Sequence, residues 1–160
     1  MFKTILTRAL SGAVFVILIM GSIFWSPIAL AVLLLILTGL GLKEFYGLFA
    51  QAKVIRKQSI GIVLGLVIYS VITAYAFSWI DGKALLGLLP LVFLLFVFEL
   101  YKKDGNPFTQ LSFIILGIVY VAIPFSLYHF VLQFPVGGES NFEPWLLAGV
   151  FILIWANDTF

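Results

Sequence analysis

The sequence predicts an all-α, polytopic integral membrane protein: a helical bundle of about six transmembrane helices, the last one truncated. Three observations predict it: the solvent the composition suits, the length of the apolar runs, and the loops that carry the basic residues. Of the 160 residues, 63% are hydrophobic and 10% are charged, with a mean hydropathy of +1.20. A soluble domain is closer to half apolar and a quarter charged, so this chain suits lipid. Its 17 phenylalanines would overfill a globular core of this size, but they fit lipid-facing helices. There is no cysteine, which excludes disulfides and thiolate metal sites.

Six apolar runs follow one another, separated by short polar breaks. They cover residues 9–25, 27–42, 60–80, 84–100 and 111–134, and a sixth begins at Trp145 and continues to the end. Crossing a hydrocarbon layer of ~30 Å takes about 20 helical residues, so the first five are full or nearly full spans. Barrel strands would be short and alternating, and these runs are neither. The sequence thus divides into residues 1–144, with five spans, and residues 145–160, the start of a sixth helix. A Lys3/Arg8 start before an apolar run also resembles a signal peptide. A second run follows almost at once through Ser26 and Pro27, which favours an inserted first helix.

The basic residues orient the chain. Lys3 and Arg8 precede the first span. Lys43, Lys53, Arg56 and Lys57 lie between the second and third, and Lys102 and Lys103 between the fourth and fifth. These are alternate loops, on one side of the membrane. The other side has Lys83 beside Asp81, and the loop with Glu139 and Glu143. The positive-inside rule makes the first side, and the N-terminus, cytoplasmic. The sixth run then returns to the cytoplasmic face.

Several polar positions within this frame are candidates. Residues 43–58, "KEFYGLFAQAKVIRKQ", read as a surface-lying amphipathic helix or a basic juxtamembrane loop, with Phe45, Tyr46, Leu48 and Phe49 as its apolar side. Gly61 and Gly65 form a Gly-x-x-x-Gly pair through which another helix can approach closely. Pro124 should kink the fifth helix. Glu99, one turn from Lys102 and Lys103, suits an interfacial ion pair as well as a site. His129 reads as interfacial, and its spacing to other polar groups matches no metal motif.

Asp158 stands apart. It falls roughly 20 Å along a helix that starts near Trp145, inside or at the edge of the hydrocarbon. A carboxylate there costs several kcal/mol unless it faces a cation, a polar cavity or a partner. Asn157 and Thr159 flank it with further oxygens, of the kind a hard cation takes. A last helix normally ends on polar or basic anchors, but this one ends on Phe160. The expectation is an N-terminal part of a longer protein, cut at a helix leading into its active site.

The ending "WANDTF" resembles the start of the catalytic region of the phosphatidate cytidylyltransferase (CDP-diacylglycerol synthase) family, where a Trp-x-x-Asp-Thr stretch precedes Ala-Tyr, Gly-Arg and Ser-Pro-x-Lys-Thr-x-Glu-Gly segments. Upstream, "RALSGAVFVILIMG", "GLKEFYGLF" and "LGIVYVAIPFSLY" resemble the family's first helix, second-helix end and the helix before the catalytic region. The resemblance implies transfer of a cytidylyl group from CTP to phosphatidic acid, giving CDP-diacylglycerol and pyrophosphate in phospholipid biosynthesis. It also implies Mg²⁺ and a site open to the cytoplasm, in the inner membrane of the cell. It makes Asp158 both the catalytic candidate and the candidate Mg²⁺ ligand. A second copy of the chain is a candidate partner, and nucleic acid is not expected. Residues 1–160 alone are not expected to turn over, because the Ser-Pro-x-Lys-Thr segment is not among them. Two rivals remain at this stage: a multi-span transporter fragment with Asp158 as ion relay, and a polyprenol-kinase-like lipid kinase.

Overall fold

In the computed structural model the apolar runs all fold as helices, and no strand occurs among the described residues. These are residues 2–51, 58–101, 106–134 and 143–159, with side chains described except at 2–9, 11, 50–51 and 158–159. Helix α1 is Phe2–Trp25, α2 is Pro27–Gln51 and α3 is Gln58–Ala76. A 3₁₀ turn at Gly82–Gly87 leads into α4, Leu88–Leu100. Then come α5, Pro107–Gly117, a π-helical turn at Ile118–Ala122, α6, Ile123–Leu132, and α7, Pro144–Thr159. Four stretches are long and apolar enough to cross a bilayer: Pro27–Phe49, Gln58–Ala76, Gly82–Leu100 and Pro107–Leu132. Among the described residues the first and last helices offer shorter apolar stretches, Gly12–Trp25 and Pro144–Asn157.

The helix ends follow local chemistry. Asn106 accepts from the amides of Phe108 (3.1 Å) and Thr109 (3.4 Å), with Pro107 at the first helical position, so α5 starts there. Helix α3 stops at Ala76 because Ser78 turns to φ 57°, with Trp79 N–H reaching back to the Ala74 carbonyl at 2.9 Å. The apolar run extends to residue 80, but the helix does not. Inside the helices, hydroxyls bond back to the preceding turn: Thr38 to the Leu34 carbonyl at 2.7 Å, Ser126 to Ile123 at 2.7 Å, Ser22 to Ile19 at 2.8 Å. Apolar surroundings offer a hydroxyl little else, so the sequence can carry these residues mid-membrane.

The chain divides into two compact units, residues Leu34–Phe130 and residues Met1–Leu33 with Val131–Phe160. The core of the first gathers Leu42, Tyr46, Leu64, Ile68, Leu95, Leu111, Ile114, Ile118 and Ala122. The glycine pair on α3 performs the role its spacing predicts. A Cβ on Gly61 would come within 2.7 Å of the Tyr46 ring, and one on Gly65 would run into Leu42. Leu42 and Tyr46 are one turn apart on α2, so two knobs enter two glycine notches. Gly117 on α5 closes the slot from the other side, its Cβ position 2.5 Å from Tyr46.

Here the structure corrects the reading of residues 43–58. The part up to Gln51 continues α2, and Tyr46 is fully buried rather than surface-lying. Phe45 and Phe49 pack against the same core, and Phe49 meets the Phe113 ring at 4.3 Å between centroids. The physical reason is the slot: a bare backbone on two neighbouring helices admits an aromatic ring that a solvated loop could not hold. Residues 52–57 of that stretch lie outside the described residues.

Pro124 has no N–H to donate, and its ring crowds the carbonyl four residues back. The π turn just before it takes up the misfit, with Ile123 N–H bonded five residues back to the Ile118 carbonyl.

In the other unit, α1 packs on α7, with Phe24 edge-to-face on Trp145 at 4.7 Å. Ile19, Ser22 and Ile23 are buried from α1, and Leu147, Ala148 and Phe151 from α7.

Candidate functional site

The site begins with helix α7. Pro144 opens it without losing a hydrogen bond, and Glu143 N–H ties the entry to the Leu132 carbonyl at 2.9 Å. Leu147, Ala148 and Phe151 form its buried stripe, and Trp155 follows Phe151 with ring centroids 6.0 Å apart. Ile152, Leu153 and Ile154 are exposed, as a lipid-facing surface would be. Asp158 lies in the last turn, 14 positions past Pro144, or about 21 Å along the axis. Asn157 beside it is exposed. The side chains of Asp158 and Thr159 lie outside the described residues.

Among the described residues no three His, Cys, Asp or Glu side chains come together as a metal site.

Two polar groups singled out in the sequence are buried. Glu99 is 2% exposed, at the end of α4, where it shares a small cleft with Pro107, Phe108 and Leu111. Lys102 and Lys103, its expected partners, lie outside the described residues. His129 is fully buried, in the last turn of α6. Its Nε2 is 2.8 Å from the Tyr69 hydroxyl, and its ring meets Phe77 edge-on at 5.1 Å. Tyr69 was not singled out in the sequence because nothing local marks it; its partner is 60 residues away.

All-helical among the described residues, with four helices long and apolar enough to cross a membrane, this chain is of the integral membrane class. It belongs to the cytidylyltransferase family, whose sequence profile matches residues 6–160. No curated protein and no solved structure matches the chain. Membership brings CTP as the nucleotide substrate and nucleotidyl transfer as the reaction type. It favours that chemistry over the transporter and lipid-kinase alternatives.

Proposed function

We propose that the protein transfers the cytidylyl group of CTP to phosphatidic acid, forming CDP-diacylglycerol and pyrophosphate. The family match across residues 6–160 carries this reading, because it fixes the donor and the group transferred. The acceptor is inferred from the setting. Four membrane-length apolar helices put the chain in lipid, and a lipid phosphate is the nucleophile that setting supplies. In the transfer, a phosphate oxygen of phosphatidic acid attacks the α-phosphorus of CTP. The bond from that phosphorus to the β-phosphate bridging oxygen breaks, and pyrophosphate leaves.

On this reading the loops with Lys43, Lys53, Arg56, Lys57, Lys102 and Lys103 face the cytoplasm, and α7 delivers Asp158 to the same side. CTP is then available where Asp158 lies. The Asp158 carboxylate is the residue that would hold Mg²⁺, which when bound neutralises charge on the phosphates. Asp158 itself contributes a fixed negative charge and an orientation for whatever cation it meets.

The test is an acceptor comparison. Labelled CTP and Mg²⁺ are given to the intact protein with phosphatidic acid, with diacylglycerol, or with a polyprenyl phosphate. Label should enter CDP-diacylglycerol with phosphatidic acid and be absent with diacylglycerol, which lacks the attacking phosphate. Transfer to the polyprenyl phosphate with none to phosphatidic acid would overturn the acceptor assignment while keeping the family chemistry.

A further inference from the structure

A groove of about 420 Å³ runs between α2 and α3, lined by Leu35, Ile36, Gly39, Leu40 and Lys43 from α2 and by Ile62 and Leu66 from α3. The α2 residues fall at spacings of one, three and four, so they form one face of that helix over about 12 Å. Gly39 adds no side chain to the groove; a Cβ there would meet Leu66 in ordinary contact, at 3.6 Å. Ile36 and Leu40 are exposed along its rim, so it is open to the surroundings, which for these helices is lipid. Every lining residue is apolar except the last. Lys43 is exposed and stands at one end.

We propose that this groove holds an anionic diacyl phospholipid, one acyl chain lying along Leu35–Leu40 and the phosphate at the Lys43 ammonium. The argument is complementarity of two kinds in one place. The floor offers an acyl chain dispersion contacts on two helices, where a convex helix surface offers them on one. Lys43 lies about two turns before the end of α2, and from there its long side chain extends the ammonium toward the headgroup layer, where a phosphate is the counter-charge available. Glu44, the neighbouring carboxylate, is about 100° round the helix and does not line the groove. A second groove, between α3 and α4, supplies the contrast. It has a similar volume, about 400 Å³, and is lined by Ser59 and by apolar residues such as Leu64, Leu91 and Leu95, with no charge among them. It can hold a chain but has nothing to select a headgroup.

The site is independent of the cytidylyl-transfer reading, because retention of a lipid requires no turnover. The experiment places the intact protein in nanodiscs of phosphatidylcholine with a minor fraction of phosphatidylglycerol. The protein is then released into mild detergent, and the lipids carried along are weighed by native mass spectrometry. Phosphatidylglycerol should be retained well above its share of the bilayer. Lys43→Ala should cut that enrichment about fivefold, the effect of one lysine near an anionic lipid, and Lys43→Arg should keep it. Gly39→Leu, which fills the groove and leaves the charge, should cut it as well. A bulky substitution at Leu94 in the chargeless groove should leave it unchanged. Loss with Lys43→Ala but not with Gly39→Leu would mean a surface charge only, and overturns the site. So would equal lipid profiles in all variants, or a dimer that Gly39→Leu breaks while no lipid is retained.

Discussion

Tyr46 on α2 donates its phenolic hydrogen to the backbone carbonyl of Ile114 on α5, at 2.8 Å and across 68 positions of sequence. That carbonyl also accepts from the amide of Ile118, at the junction where the α-helix gives way to the π turn. The tyrosine therefore satisfies an irregular stretch of backbone while its ring fills the slot between Gly61 and Gly117. In lipid no hydrophobic force holds helices together, so fit and hydrogen bonding at such a slot matter more than area.

Tyr46→Phe should cost about 0.5–1.5 kcal/mol, the worth of one hydrogen bond with the ring kept. Gly61→Val should cost more, about 1–3 kcal/mol, because it drives a branched side chain into a ring with no room to retreat. Reversible unfolding in mixed detergent measures both. A Gly61→Val protein as stable as the parent would show that the slot does not hold α2 on α3.

The Tyr69–His129 pair should behave as a coupled unit. Each single change, Tyr69→Phe and His129→Leu, removes the bond, so the double variant should lose less than the sum. The expected coupling is about 0.6 kcal/mol, rising to at most about 1.7, the range for hydrogen bonds between membrane helices. A double-mutant cycle in the same unfolding experiment reads it directly. Strict additivity would mean that the 2.8 Å contact adds no stability.

Much of the fold was legible because lipid imposes a simple rule on the sequence: apolar runs of the right length must be helical. The Gly61–Gly65 spacing was legible for the same reason, since small residues are the local mark of close approach. What occupies a notch is not local. Tyr46 lies among Lys43, Glu44 and the bases beyond, so its neighbourhood reads as polar, and only α3 and α5 show that the ring turns inward. The Tyr69–His129 contact is not local either, because its two partners lie on different helices. The grooves beside α3 were not legible at all, because a groove is an arrangement of absences.

Topology has its own test, made clean by the lack of native cysteines. Single cysteines at Gln51 and Gly138 should be labelled by a membrane-impermeant maleimide from opposite sides, Gln51 only after the cytoplasmic face is opened. Labelling of Gln51 from outside would reverse the orientation and remove Asp158 from the compartment that holds CTP.

Asp158→Asn in the intact protein tests the central claim most directly, with CTP-dependent formation of CDP-diacylglycerol as the readout. The change keeps the size and much of the hydrogen bonding of the side chain and removes its charge. Membrane insertion and yield should be unaffected, while turnover at saturating Mg²⁺ falls at least ~100-fold, a loss of about 2.7 kcal/mol of transition-state stabilisation. A well-inserted Asp158→Asn protein with near-normal turnover would contradict the assignment of Asp158 to the reaction.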